Sequence, residues 1–246
     1  MKLILLRHGE SQWNFENRFT GWKDVSLTST GIAEANYSGN QLLKNQLKIK
    51  SVYTSLLNRA TETTEIVTNI INFPRENIQY DWRLNERHYG ALQGLNKSET
   101  AQKYGEDQVH IWRRSYNIPP PHLENDDIRH PKLNSKFKNI NADLPIGESL
   151  KNVVERLKPF WEEYIKNITL NRGNHLIIAH SNSLRAIVKV LDQLSDEAIT
   201  TVNIPTGVPL VYTLDHDLNV INKEYLISEK ALKAKQEVVL NQGKVK

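Results

Sequence analysis

The 246-residue sequence contains no cysteine and only one methionine. The absence of cysteine excludes thiol nucleophiles, thiolate metal sites and disulfides, and it gives no sign of an oxidising compartment. Long hydrophobic runs are absent too. The apolar run at residues 3–6 is too short for the core of a signal peptide, and no later run approaches the length of a membrane span. We therefore expect a cytoplasmic protein that does not bind membranes.

The sequence also lacks a strong charge of either sign. It carries 32 basic and 28 acidic residues, a net charge of +4, and the basic excess is not gathered in one block. A nucleic-acid partner normally requires a clustered basic patch, so this charge pattern does not favour one. The charge balance fits either a solvated surface with a slight basic bias or a local positive site for a small anion. The positions of the arginines must decide between these two interpretations.

Two segments that lie far apart in the sequence share one pattern. Residues 2–11 and 175–183 each contain a short apolar run that ends in a histidine followed by small polar residues. Such unbroken runs are typical of strands buried on both faces of a parallel sheet, and helix-like sequence follows each of them. Ligand crevices form at the carboxyl ends of parallel strands. We therefore predict that His8 and His180 meet at one edge of a sheet.

The remaining periodicity completes an α/β fold. Residues 51–55 predict a third strand, and the following helix would hold Arg59 in its first turn at the same edge. The prediction is a single domain over residues 1–246, a three-layer sandwich with a mainly parallel sheet flanked by helices. Further strands are predicted at residues 77–81 and 209–214, and further helices at residues 31–47, 149–168 and 183–194.

The pattern weakens between residues 95 and 145, where the sequence is polar and contains three consecutive prolines at 119–121. Long irregular segments in compact domains are usually functional lids or disordered excursions, and the aromatic and basic content of residues 109–116 favours an ordered lid. We therefore predict a lid insertion over residues 95–145. The last segment, residues 226–246, is rich in lysine, alanine and glutamine and is predicted to be a helix or a mobile tail.

The residues near His8 form a set suited to an anion. Phosphoryl transfer needs a nucleophile and neutralisation of the phosphoryl oxygens, which the planar guanidinium groups of Arg7 and Arg59 can supply. An attacking histidine must be neutral, and flanking arginine charges lower its pKa from an ordinary value of about 6.5. A backbone carbonyl at the Gly9 turn could fix the tautomer. Further donors nearby are Ser11, Asn14, Thr20 and Gly21.

These residues and the stretches around them resemble the cofactor-dependent phosphoglycerate mutases of the histidine phosphatase superfamily. The resemblance extends over nearly the whole chain. Arg7-His8-Gly9 is shared by the superfamily, whereas residues 86–97 and the pair Arg113-Arg114 are more specific to mutases. The matching stretches are residues 6–14, 18–22, 84–97, 112–114, 181–185 and 203–209.

The resemblance implies interconversion of 3-phosphoglycerate and 2-phosphoglycerate, a step of glycolysis and gluconeogenesis, without a metal. His8 would carry the phosphoryl group, primed by 2,3-bisphosphoglycerate. Glu86 would exchange protons with the substrate hydroxyls, and His180, together with Arg7 and Arg59, would stabilise the group in transfer. A homo-oligomer is also implied. The residues that would bind the glycerate are Arg7, Ser11, Asn14, Thr20, Gly21, Arg59, Glu86, Tyr89, Lys97, Arg113, Arg114, Ser181 and Asn182.

Two features of this set carry further expectations. Lys97, Arg113 and Arg114 belong to the predicted lid, so its closure would bring positive charge to the substrate and exclude the water that hydrolyses a phosphohistidine. Ser181 stands where many family members carry glycine. A side chain there is expected to crowd the substrate phosphate or to add a hydroxyl donor.

Other functions would use the same residues. A phosphatase of this superfamily would share His8 and Glu86 and pass the phosphoryl group to water, and a bisphosphoglycerate mutase would differ only in its balance of rates. A metal hydrolase would use His8, His180 and Glu86 as ligands, although the arginines would repel a cation. A non-catalytic binding protein would keep the fold and lose the chemistry. The intact His8 and Glu86 favour an enzyme.

Overall fold

The computed structural model of the protein describes residues 1–242 and 244. Its centre is a six-stranded sheet. The strands are β1 (Lys2–Arg7), β2 (Ile49–Thr54), β3 (Ile78–Tyr80), β4 (Asn174–Ala179), β5 (Leu210–Leu214) and β6 (Val220–Tyr225). Their order is β3-β2-β4-β1-β5-β6; the first four are mutually parallel, and β5 and β6 are antiparallel to their neighbours. The predicted mainly parallel sheet is confirmed.

Helices cover both faces of this sheet. In the described part of the chain they are α1 (Gln12–Phe15), α2 (Ser29–Lys44), α3 (Asn58–Ile70), α4 (Lys97–Tyr104), α5 (Glu106–Arg114), α6 (Leu150–Leu170), α7 (Ser181–Leu191) and α8 (Glu229–Asn241). The pairs α2 and α3, and α6 and α7, pack against each other. The α/β sandwich predicted from the sequence is therefore confirmed, with element ends that differ by a few residues.

Strand β1 shows why its sequence does not alternate. Successive side chains of a strand point to opposite faces. Leu3 and Leu5 join the core that contains α6 and α7, whereas Ile4 and Leu6 join the core that contains α2 and α3. All four side chains are fully buried. Each such burial contributes about 1.5–3 kcal/mol, so an apolar residue is favoured at every position of this strand.

The parallel pairing of β1 with β4 sets the position of the two histidines. Arg7 lies opposite Ala179 in the register, and the amide of His8 donates to the Ala179 carbonyl over 3.0 Å. His8 and His180 therefore leave the sheet side by side at its carboxyl edge. Strand β2 ends at the same edge and leads into α3, which begins with Asn58 and Arg59. The sequence prediction of a shared edge is confirmed.

The segment 95–145 contains two short helices and then a long irregular stretch. Ala101 of α4 and Val109 of α5 pack with Phe19 and Leu92, next to the carboxyl edge of the sheet. In the following stretch Phe137 is buried against Trp22 and Leu57. The whole segment is thus tied to the body of the protein by apolar contacts.

One strand was not predicted from the sequence, and one of the two alternatives for the tail is observed. Strand β6 was not predicted, because its residues 222–224 are polar and exposed on the edge of the sheet. In the tail, the structure shows the helix α8, capped by Ser228. The tail prediction for residues 243, 245 and 246 lies outside the described residues. Within the described chain no helix combines the length and the apolar character needed to span a membrane.

Candidate active site

A pocket opens at the carboxyl edge of the parallel strands. Seven basic side chains and a single carboxylate line it among the described residues. These residues come from the end of β1, from α1 and the segment after it, from residues 86–89, from the first two turns of α3, α4 and α7, from the last turn of α5, and from α8 and the residue after it. The lining residues are Arg7, His8, Asn14, Arg18, Thr20, Gly21, Arg59, Glu86, Tyr89, Lys97, Arg113, Arg114, Ser181, Asn182, Arg185, Val239 and Gln242.

The hydrogen bonds of His8 define its tautomer. Its Nδ1 lies 2.6 Å from the carbonyl oxygen of Gly9, which can only accept, so Nδ1 carries the proton. The Nε of Arg59 donates to Nε2 of His8 over 3.2 Å. Burial, and then the charges of Arg59 and Arg7, hold the pKa of His8 well below its ordinary value, although the Gly9 bond opposes them. His8 is therefore neutral, with its lone pair on Nε2, as phosphoryl transfer requires.

The turn after His8 can be made only by glycine. A Cβ on Gly9 would lie 2.2 Å from the backbone oxygen of Gly31, near the start of α2. In this tight turn the carbonyl oxygen of Gly9 faces Nδ1 of His8. The expectation that this turn fixes the tautomer is confirmed.

His180 packs directly against His8. The two ring centroids are 4.9 Å apart at an interplanar angle of 60°. Nε2 of His180 shares a 2.7 Å hydrogen bond with the hydroxyl of Ser55, the residue that follows β2. Burial, and then the charge of Arg59, hold the pKa of His180 well below its ordinary value. The second histidine is thus neutral as well and fixed behind the first.

Arg7 and Arg59 are held by backbone carbonyls, and neither forms an ion pair with a carboxylate of the described residues. Arg7 donates to the Ile204 carbonyl over 2.8 Å, and Arg59 donates to the carbonyl of Gly21 over 2.9 Å. Both side chains are almost completely buried. Burial is the main reason that the pKa of Arg59 falls to about 10. A buried cation without a carboxylate partner is costly, so these two guanidinium groups favour a bound anion.

Glu86 is the one carboxylate among the described lining residues, and its two oxygens differ. Oε1 accepts hydrogen bonds from the amide of Arg87 (2.7 Å), the amide of Asn182 (3.1 Å) and the Asn182 side-chain nitrogen (3.0 Å). Oε2 makes no hydrogen bond within the described chain. The indole of Trp22 donates to the Glu86 carbonyl over 2.6 Å and fixes the backbone. A carboxyl group placed in this way can exchange a proton with a bound hydroxyl.

Helices α4 and α5 bring three further cations. Lys97 is the first residue of α4, and Arg113 and Arg114 form the last turn of α5, where positive charge also complements the helix dipole. Burial, and then the charges of Arg113 and Arg7, hold the pKa of Lys97 well below its ordinary value. Its Nζ donates to the side-chain oxygen of Gln242 over 3.3 Å. Gln242, the residue after α8, therefore lies against Lys97 on this side of the pocket.

The other predicted binding residues fall into two groups. Asn14, Thr20, Gly21, Tyr89 and Ser181 line the pocket together with the residues above. Ser11 does not line it. Its hydroxyl lies 3.0 Å from the Asn14 side-chain oxygen and caps α1. Ser11 therefore positions Asn14, which lines the pocket.

Four lining residues were not assigned from the sequence: Arg18, Arg185, Val239 and Gln242. Arg18 and Arg185 lie inside the matching stretches, so their charge was a usable signal. Val239 lies in α8 and Gln242 directly after it. The composition of this segment did not indicate that it contacts the pocket. Their position depends on how α8 packs onto the body, a long-range feature that no local pattern contains.

The described residues contain no group of three or more histidine, aspartate or glutamate side chains placed to hold a metal ion. The arrangement that they do form is a neutral imidazole, a carboxyl group and a surplus of guanidinium groups. These are the parts of an anion-binding site with a nucleophile and a proton-transfer group.

Comparison with known proteins agrees with this site. A profile of the histidine phosphatase superfamily, branch 1, matches residues 3–130 and 123–224. The chain therefore belongs to the histidine phosphatase superfamily. It is also 49% identical over 243 residues to a 2,3-bisphosphoglycerate-dependent phosphoglycerate mutase of Hydrogenobaculum sp. strain Y04AAS1, covering 98% of each chain. The resemblance found in the sequence is confirmed.

Solved structures with the same fold include several phosphatases. A mycobacterial glucosyl-3-phosphoglycerate phosphatase matches 91% of this chain and 96% of its own, with a TM-score of 0.70 and 20% identity. The α-ribazole phosphatase of Shigella flexneri matches 90% of this chain and 96% of its own, with a TM-score of 0.65 and 20% identity. At this level of identity the similarity shows the fold alone.

Proposed function

We propose that this protein is a phosphoglycerate mutase that interconverts 3-phosphoglycerate and 2-phosphoglycerate through a phosphohistidine at His8. The observation that carries the proposal is the buried, neutral His8, with its lone pair on Nε2, in a pocket of seven cations and one carboxylate. The 49% identical mutase supports the choice of substrate.

The pocket suits 2,3-bisphosphoglycerate as the priming donor. Arg7 and Arg59 lie beside His8, and a second set of cations, Lys97, Arg113 and Arg114, comes from α4 and α5. The two sets of buried cations come from different elements, and each would bind one phosphate of this molecule. When bound, the bisphosphate would supply the phosphoryl group that first loads His8.

The residues divide the chemistry as follows. Nε2 of His8 attacks phosphorus as the bond from phosphorus to the glycerate oxygen breaks, and Glu86 gives its proton to that oxygen. In the return step Glu86 takes the proton of the other hydroxyl, whose oxygen attacks phosphorus, and the electron pair returns to Nε2. Arg7 and Arg59 neutralise the charge on the phosphoryl oxygens, and the neutral His180 would stabilise the group in transfer from its position beside His8.

Transfer to a second hydroxyl, in preference to water, requires that the phosphohistidine be shielded. We assign this role to residues 95–145 as a lid, together with the end of α8, because Lys97, Arg113, Val239 and Gln242 line the same pocket. Ser181 lies at the first residue of α7 and would contribute its hydroxyl to the phosphate. We further propose a single domain over residues 1–246 that acts in the cytoplasm as a homo-oligomer.

The test is conversion of 3-phosphoglycerate by the purified protein in EDTA, with and without a trace of 2,3-bisphosphoglycerate, with 2-phosphoglycerate and free phosphate both measured. Stimulated isomer formation is expected. Free phosphate without isomer would make the protein a phosphatase, and activity only after metal is restored would revive a metal hydrolase. His8→Ala should abolish both turnover and phosphoenzyme, whereas His216→Ala, at an exposed position, should not.

A further inference from the structure

Arg185 lies in the pocket but has no role in the mechanism above. Its side chain is 1% exposed, on the second turn of α7. One end of its guanidinium group donates to the carbonyl of Ile199 over 2.7 Å, and the other donates to the side-chain oxygen of Asn182 over 2.9 Å. Burial is the main reason that its pKa falls to about 9. Burying a guanidinium group in this way costs free energy of desolvation, which suggests that Arg185 has a functional role.

The contact with Arg185 determines how the Asn182 amide is oriented. A guanidinium group has donors and no acceptor, so the oxygen of Asn182 must face Arg185. The nitrogen of the same amide must then point the other way, where it meets Oε1 of Glu86 at 3.0 Å. The orientation of an amide is usually hard to assign, but here the chemistry of its two neighbours leaves one choice.

This orientation makes the two oxygens of Glu86 unequal. Oε1 receives three N–H donors, so a proton placed on it would point at one of them. Oε2 receives none within the described chain. We propose that Arg185 is a positioning residue that holds the Asn182 amide in one orientation, fixes Oε1 of Glu86 as an acceptor, and thereby reserves Oε2 as the oxygen that carries the transferred proton. This inference rests on the proposed function, in which Glu86 exchanges that proton.

The contacts also explain why an arginine is used. Holding Asn182 requires a donor that is itself anchored, and the second end of the guanidinium group donates to Ile199 in the short 3-10 helix Ala198–Thr201. A lysine has one nitrogen on a flexible stem and cannot hold both acceptors with a rigid fork. Arg185→Lys should therefore restore only part of what Arg185→Met loses.

The test is a double-mutant cycle on kcat with Arg185→Met and Asn182→Ala. Each single change should lower kcat at least tenfold. Because Arg185 acts through Asn182, the double variant should lie within about twofold of the more damaging single variant. Arg185→Lys should recover part of the kcat that Arg185→Met loses, because it keeps one donor to Asn182. If Arg185→Met does not fold, Arg185→Lys takes its place in the cycle.

The matched control removes another pocket cation that does not touch Asn182. Arg18 lines the pocket and pairs with Glu16. Arg18→Met should act mainly on KM, and its effect should multiply with that of Asn182→Ala. Multiplying effects for Arg185 and Asn182 would overturn the inference.

The same variants separate this inference from the proposed function. Loading of His8 from 2,3-bisphosphoglycerate also needs a proton from Glu86, so the cycle can be measured on that step alone. A wild-type protein that loads His8 but forms no isomer would refute the mutase proposal. The Arg185 and Asn182 cycle on the loading rate would still support or reject the positioning role.

Discussion

At the scale of single residues, the pocket concentrates positive charge that its own carboxylate cannot balance. Lys97 shows this most clearly, because it is buried among cations and its ammonium group donates to the neutral amide of Gln242. An ammonium group in that position is destabilised by burial and by the charge of Arg113. An anion that enters the pocket reverses the second effect and favours the charged lysine.

In the free protein, the lowered pKa gives Lys97 a larger share of the reactive neutral amine than an ordinary lysine has, and the cations around it attract a phosphate. Lys97 should therefore react faster than an ordinary lysine with an amine reagent that carries a phosphate. We expect pyridoxal phosphate, followed by borohydride reduction, to label Lys97 at least tenfold faster than Lys103, which is exposed on the same helix. The labelled site is measured by peptide mass spectrometry. Added 3-phosphoglycerate should protect Lys97 and leave the labelling of Lys103 unchanged; equal rates for the two lysines would contradict this account of the charge.

At the scale of elements, the sequence could predict what depends on local burial. The runs that became β1, β2 and β4 are apolar because both faces of the sheet are covered, so the pattern located them and the edge where His8 and His180 meet. Edge strand β6 carries polar residues at 222–224 and gave no such signal. The hydrogen bond between Gln242 and Lys97 joins residues 145 positions apart and follows only from packing.

Helix α8 supplies the element-scale prediction, because one of its faces touches the pocket and the other faces solvent. Val239 is 8% exposed and lines the pocket, whereas Val238 is 66% exposed. Val239→Ala should weaken the packing of α8 by about 1 kcal/mol or more. Water would then reach the phosphohistidine more often, so free phosphate per isomer formed should rise severalfold.

The neighbouring Val238→Ala is the control for this change, since it alters the same helix without touching the pocket. The isomer and free phosphate are measured in one assay. A general loss of activity lowers both and leaves their ratio unchanged. An unchanged ratio in Val239→Ala would mean that α8 does not shield the phosphohistidine.

At the scale of the whole molecule, buried neutral histidines make the stability depend on pH. Burial holds the pKa of His88 at about 3 and that of His175 at about 4, and His8 and His180 are shifted in the same direction. Below pH 6.5 the unfolded chain binds protons at these residues and the folded protein does not. Stability should therefore fall as pH decreases, by up to about 1.4 kcal/mol per pH unit for each histidine.

His88 allows this to be tested away from the pocket. Its Nδ1 accepts from the amide of Gly90 over 3.0 Å, a bond that a glutamine oxygen could replace. His88→Gln should reduce the loss of unfolding free energy between pH 7 and pH 5 by about 2 kcal/mol, because one titrating group is removed. Urea unfolding at the two pH values measures this difference. His216→Gln, at an exposed position, is the control, and an equal effect of the two substitutions would show that burial is not its cause.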